Sequence, residues 1–247
     1  MASRHAEGTG EMSLATIACV ALGDESYRRG QERLRQSLDD ELYDCDFVER
    51  EMQAENIGTP LLGMYTAYAA KPYLLQHVLL RDGPRVTILC DASFYAIRPL
   101  DPLIEHITRN GYYLCDNGYT VGEWASDRCL AHFGLSRDVA MAMPDCSSYC
   151  VGIDRENPTA MELARQWCEH SVEATICGAH TNQGHRRSRN PGFVSGDPRC
   201  RGHRHDQTVL SIVAHGLGLL NWTHRPVYTA YKGYEDERTV LVAEGIK

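Results

Sequence analysis

The segment Val86-Thr87-Ile88-Leu89-Cys90 runs straight into Asp91-Ala92-Ser93. It reads as a buried strand that delivers a carboxylate and a hydroxyl to its carboxyl end, where open α/β sheets hold their ligands. A carboxylate at the tip of a hydrophobic strand is costly to bury alone, and a metal ion is one of the few partners that make burial favourable. The segment therefore points to a metal and a phosphate at the edge of a sheet. A plainer role, Asp91 capping the turn after the strand, stands beside that one.

A chain of 247 residues, 43% hydrophobic and 23% charged, is long enough to bury a full α/β core without staples. We expect one domain over 13–247 behind a disordered tail over 1–12. The net charge of −8 argues against a surface that embraces nucleic acid, although 185–189 and 199–204 are locally basic. Met1 to Glu11 is small and polar, and no run of about 18 apolar residues follows. No secretion signal or membrane anchor is expected, and the cytoplasm (a host's, for a viral chain) is the expected location. Cys19, Cys90, Cys115 and Cys129 lie in apolar runs, as free buried thiols do. Cys146, Cys150, Cys200, His203 and His205 match no standard zinc spacing.

Leu14 to Leu22 reads as a central strand, followed by a polar helix over Glu25–Leu38 and a second strand over Leu42–Val48. Pro60 opens a long helix to about Leu80 that Pro72 kinks or divides. After the Val86 strand come a helix from Asp101, a strand over Gly111–Cys115, a helix over Gly122–Phe133, and a short helix behind Ser136. A strand over Ser147–Ile153 and a helix opened by Asn157-Pro158 follow. From Gly178 to Arg204 apolar side chains almost vanish, which marks a long loop suited to substrate contact. A helix begins at His205-Asp206, and Val227–Ala230 and Thr239–Val242 close the chain as strands.

Several residues carry chemistry-bearing groups. Asp206, just before a helix, suits an N-cap and equally a base for a hydroxyl. Lys71, Arg98 and Lys232 suit a diphosphate. Asp116, Asn117 and Trp124 are of the types that bind sugars, with Asn182, His185, His205 and Gln207 as further contacts to sugar or acceptor. Asn117-Gly118 is also a good turn, and Trp124 also suits a core.

The strand ending in Asp91-Ala92-Ser93, the segment Ile97-Arg98-Pro99-Leu100-Asp101-Pro102-Leu103, Lys71 ahead of the strand, and His205-Asp206-Gln207-Thr208 together resemble glycosyltransferases of the GT-A fold. The likeness is distantly to the glycogenin-like branch, and more broadly to the compact enzymes of phages and large DNA viruses. It implies a single-domain, Rossmann-like α/β fold with a mixed, mostly parallel central sheet flanked by helices. It also implies a metal-assisted hexosyltransferase-like enzyme, with retention of the anomeric configuration favoured. Mn²⁺ or Mg²⁺ would sit on Asp91, Ser93 and His205, and Asp91 and Asp206 would be the catalytic pair. Leu22, Gly23, Asp24, Tyr27, Lys71, Ala92, Ser93 and Lys232 would surround a nucleoside-diphosphate sugar, a UDP-sugar first. The acceptor would be a glycan, a protein or a modified DNA base; the sequence does not state an oligomeric state.

The chain departs from that pattern in two places. Ser93 stands where the motif has a second Asp, and Tyr231-Lys232-Gly233 lacks the His that precedes Gly and Lys in the branch. His203, His205 and His224 are the nearby candidates for the missing ligand. Two other readings stay open: a nucleotidyltransferase-like enzyme on a similar sheet, and a catalytically silent nucleotide-sugar-binding module. No G-x-x-x-x-G-K-[ST] loop supports an ATPase.

Overall fold

The structure, a computed structural model, describes residues 14–22, 25–40, 45–52, 69–171, 194–219 and 227–245. Strand β1 (Ala15–Leu22) lies between β2 (Cys45–Met52) and β3 (Val86–Asp91), parallel to both. Both β1 and β3 are covered on both faces, which explains why each is almost continuously apolar. The sheet continues through β6 (Pro144–Asp154), antiparallel to β3, to β5 (Tyr112–Thr120), antiparallel to β6, giving the order β2-β1-β3-β6-β5. The sheet is thus mixed and mostly parallel, with only β6 reversed.

Helices α1 (Glu25–Asp40) and α3 (Asp101–Asn110) cover one face through Leu34, Leu38, Leu103 and Ile107. Helices α2 (Ala70–Leu79), α7 (Pro158–Ser171) and α8 (Asp206–Gly216) cover the other through Leu74, Leu75, Leu163, Trp167 and Val209. Three shorter helices, α4 (Val121–Trp124), α5 (Asp127–His132) and α6 (Arg137–Met141), fill the connection between β5 and β6. Among the described residues no helix is long and apolar enough to cross a membrane.

Several elements differ from the pattern read in the sequence. The helix expected from Pro60 is described only from Ala70, and Pro72 falls in its first turn, where a missing N–H leaves no bond unmade. The expected helix over Gly122–Phe133 divides at Ala125, because Thr120 and Ser126 each cap a separate helix start. Strand β5 runs on through Asn117-Gly118, with Gly118 at φ 78° and an irregular register absorbing the turn. The closing strands β7 (Thr229–Tyr231) and β8 (Leu241–Ala243) do not join the main sheet. They form a second, three-stranded sheet with β4 (Phe94–Ala96), a segment the sequence reading left without structure. The tail over 1–12 and most of the polar loop, including Asn182 and His185, lie outside the described residues.

Helix α1 fixes the turn that follows β3. Gly30 lies so close to it that an added Cβ would stand 2.2 Å from the Ala92 carbonyl oxygen. Arg33 Nη2 donates to the Ser93 carbonyl at 2.6 Å, and Gln31 Nε2 donates to the Cys19 carbonyl at 3.0 Å. Gly30→Ala should therefore push α1 and the Asp91 turn apart, at a cost of about 1–3 kcal/mol. For a chain of this size the melting temperature should fall by roughly 3–10 °C. An unchanged melting curve by circular dichroism would refute this packing.

Candidate active site

The strand directions decide which residues meet. The carboxyl ends of β1 and β3 lie side by side, with Val20 opposite Asp91, and the amino-terminal half of β6 returns to the same edge. Helices α2 and α8 begin there, so Lys71 and Asp206 reach the edge from their first turns. Lys71 Nζ lies 2.7 Å from Asp91 Oδ1 and 3.7 Å from Asp206 Oδ2, and 3.5 Å from the Ser148 hydroxyl. One ammonium is thus shared by two carboxylates from different elements.

The charges perturb one another strongly. Burial works against the Lys71 ammonium, but Asp91 and Asp206 outweigh it and hold its pKa well above the ordinary lysine value. Burial raises the Asp206 carboxyl, and Lys71 and the Ser148 hydroxyl draw it only part of the way back. Asp206 Oδ2 is buried and makes no hydrogen bond, while the Asp91 side chain is 32% exposed. Tyr27, on α1, is close enough to Lys71 to contribute to its field and remains 38% exposed at the mouth of the site.

Asp206 is the first residue of α8 and not its cap, in contrast to the N-cap expected from the sequence. The cap position belongs to His205, at φ 48° and ψ −115°, with no side-chain bond to the helix. A non-glycine residue there costs of order 1–3 kcal/mol and persists only where its surroundings enforce it. They do: Trp167 Nε1 donates to the Asp206 carbonyl at 2.8 Å, Thr208 Oγ1 donates to the Trp124 carbonyl at 2.7 Å, and the His205 ring packs on His203 at 4.8 Å.

Beside the cluster lies a cleft of 520 Å³ lined by Asp116, Asn117, Tyr149, Arg204, Gln207 and Tyr231 among others. Tyr231 feels both Asp91 and Lys71, which places the cleft against the ion cluster. Behind it sits Asp145, fully buried, with its carboxylate accepting from Asn117 Nδ2 at 2.7 Å, Gln207 Nε2 at 2.7 Å and Ser211 Oγ at 2.5 Å. Burial raises its pKa against the pull of these donors. Arg204 stacks over Trp124 at 4.2 Å and over Tyr119 at 5.0 Å.

This chain is similar in structure to mouse xyloside xylosyltransferase 1 in its apo form, with a TM-score of 0.49 and 10% identity, covering 93% of this chain and 97% of that one. It is also similar to a glycosyltransferase involved in the glycosylation of the major capsid of PBCV-1, with a TM-score of 0.46 and 13% identity, covering 93% and 92%. No family model and no curated protein sequence matches the chain. The mixed, mostly parallel central sheet flanked by helices, with an acid at the carboxyl end of β3, is the arrangement of elements expected from the sequence.

Of the residues read from the sequence, Lys71, Asp91, Asp206, Tyr27 and Gln207 come together here. Leu22 ends β1 at the same edge, and Gly23 and Asp24 lie outside the described residues. Lys232 does not join them: it pairs with Glu244 at 2.7 Å, near Arg33 and Tyr95. Arg98 is likewise absent from the cluster, because it straps the Asp236 and Thr239 carbonyls. Trp124 is buried beneath Arg204 and offers no open face to a sugar. Asn117 has its carboxamide engaged by Asp145 and by the Tyr119 amide at 3.0 Å. Asp145, Ser148, Arg204 and Tyr231 were missed. For these, the polar pair Ser147-Ser148 within an apolar strand was a sequence signal that marked the edge.

The expected metal ligands are only partly assembled. Among the described residues no group of three or more His, Cys, Asp or Glu is arranged to hold an ion. His205 is buried against His203. Ala92 is buried, and the Ser93 carbonyl is engaged by Arg33 and by the Glu244 amide at 2.9 Å. The charge balance nevertheless fits a hard cation, because two carboxylates face one ammonium and Asp206 Oδ2 is left without a donor. Such ions take one or two carboxylates and complete their shell from phosphate and water. Asp91, partly exposed at the strand tip, is a residue that could hold one.

Lys71→Met should strand both carboxylates and destabilise the fold by about 3 kcal/mol near neutral pH. Asp206, already raised, then rises further. A carboxyl whose folded pKa lies above its unfolded value contributes stability at low pH that is lost as pH climbs through the folded value. The deficit relative to wild type should therefore be smallest near pH 4 and grow toward pH 7, at roughly the carboxylate range. Urea denaturation at both pH values checks this, and a deficit independent of pH would contradict the shared charge.

Proposed function

We propose that this chain is a glycosyltransferase that moves a sugar from a nucleoside diphosphate, UDP in the first instance, to an acceptor hydroxyl. The observation that carries the reading is the Lys71 ammonium shared by Asp91 and Asp206 at the sheet edge, beside a polar cleft. Carboxylates that accept and an ammonium that donates suit the vicinal hydroxyls of a sugar better than they suit an apolar ligand. The unmatched negative charge also suits a diphosphate that arrives with a divalent cation.

In the reaction the bond from the anomeric carbon to the phosphate oxygen breaks, and its electron pair leaves with the nucleoside diphosphate. A bond from the acceptor oxygen to the anomeric carbon forms, and the hydroxyl proton is released. Mn²⁺ or Mg²⁺, held through Asp91 with Ser93 at the turn, would supply Lewis acidity toward the leaving diphosphate. Lys71 orients the two carboxylates and donates to the donor sugar or its phosphate. Asp206, with an open buried oxygen, accepts from a sugar or acceptor hydroxyl. Tyr27 and the end of β1 lie where the base and ribose would rest. Retention remains the expected stereochemistry, and the acceptor is a glycan, a protein or a modified DNA base.

The test is release of nucleoside diphosphate from a panel of UDP-, GDP- and TDP-sugars, with Mn²⁺, with Mg²⁺ and with EDTA. Asp91→Asn and Asp206→Asn should each lower kcat/KM by at least about a hundredfold. Release of sugar 1-phosphate or of nucleoside monophosphate would support attack at phosphorus instead. Tight binding of the nucleotide sugar with no turnover, under all ion conditions, would support a silent binding module; either outcome overturns the transferase reading.

A further inference from the structure

The cleft beside the ion cluster has a fixed hydrogen-bonding polarity. Asp145 is fully buried and, as a carboxylate, can only accept. Gln207 must therefore turn its amide nitrogen toward Asp145, and the Nε2 to Oδ2 distance of 2.7 Å shows that it does. Gln207 lines the cleft, and its carbonyl oxygen accepts no hydrogen bond among the described residues. Asn117 donates to the same oxygen of Asp145, and Ser211 secures the other, so the carboxylate cannot rotate without breaking a bond to β5 or α8.

We infer that Asp145 is a positioning residue that locks Gln207 as a pure acceptor, and that the cleft is a subsite for a hydroxyl donor, a pyranose hydroxyl being the group it takes. The inference rests on the glycosyl-transfer reading only in naming the hydroxyl as a sugar's. An unclamped glutamine presents either end of its amide and accommodates donors and acceptors alike. A clamped one refuses a group that can only accept, because two oxygens would then face each other without a proton. Asp206 precedes Gln207 in the first turn of α8, and its Oδ2 is a second acceptor there with no hydrogen bond.

Asp145→Asn should preserve the clamp, because Ser211 can reverse its hydroxyl to accept from the new amide while the asparagine carbonyl still takes Gln207. Asp145→Leu should release it, and Gln207→Leu should remove the acceptor while Asn117 and Ser211 still hold Asp145. Binding of methyl glucoside, methyl galactoside and methyl xyloside, with their monodeoxy analogues, to the full chain is measured by ligand-observed NMR, with melting curves confirming that each variant is folded. Wild type and Asp145→Asn should discriminate against one deoxygenated position by about tenfold. Gln207→Leu should bind all analogues alike, at about the affinity wild type has for that deoxy sugar, and Asp145→Leu should match it if folded. Gln207→Leu discriminating as wild type does, or wild type showing no preference at any position, would overturn the inference. Failure of the transferase reading looks different: pyranoside discrimination persists while no nucleoside diphosphate is released from any donor.

Discussion

The site depends on one lysine serving two acids. At 2.7 Å and 3.7 Å, Lys71 is in direct contact with Asp91 and within Coulomb range of Asp206, and it comes from a third element, α2. Inside a protein the attraction between such charges is several times stronger than in water, and so is the penalty for leaving one unmatched. The pair is therefore not a source of spare stability. It ties the start of α2, the tip of β3 and the start of α8 to one point, and it leaves a net negative charge there. A fold optimised for stability alone would neutralise that charge or replace it with packing. Its retention at a sheet edge, next to a cleft, is what a ligand-binding site requires.

Architecture accounts for how three distant segments reach that point. Because β2 and β3 are both parallel to β1, helix α2 between them runs back across the sheet, and its first turn lands where β3 ends. The reversal of β6 brings Asp145 to Ser148 to the same edge from the opposite direction. Helix α8 then enters from a strained residue, His205, held by its contact with His203 and by anchors from Trp167 and Trp124 to the first turn of the helix. Strain of this kind lets a helix begin facing the cleft when a relaxed cap would turn it aside.

Much of the fold was legible because its signals are local. The continuous apolar runs at 15–22 and 86–90, the Pro at 158 after Asn157, and Ser136 before α6 each state their own structure. The same holds for Asp91, whose charge at the end of an apolar strand is anomalous in one dimension. Asp145 carries no such mark. It stands just before the strand expected over Ser147–Ile153, as acids commonly do, and only the pairing of β6 with β5 and the arrival of α8 surround it with donors. Lys232 misled for the converse reason: it has the right residue type near Tyr231, yet the second sheet turns it toward Glu244. That sheet was hidden because β4, β7 and β8 are three residues each, too short for a period to show.

Two buried acids, one in β6 and one opening α8, make the division of labour plain. Asp145 and Asp206 are both almost wholly inaccessible, and burial raises the pKa of each. Asp145 is fully satisfied, with three donors converging on two oxygens, so it has nothing left to offer a ligand. Asp206 keeps one oxygen with no hydrogen bond at all, a deficit of about 1–3 kcal/mol if nothing ever filled it. A satisfied carboxylate can only hold its neighbours in place; an unsatisfied one gains free energy from any hydroxyl that reaches it. Gln207 lies between the two, anchored by the first and adjacent to the second. The rigidity of one acid and the deficiency of the other therefore suit two neighbouring donors on one ligand, Gln207 accepting from one and Asp206 from the other.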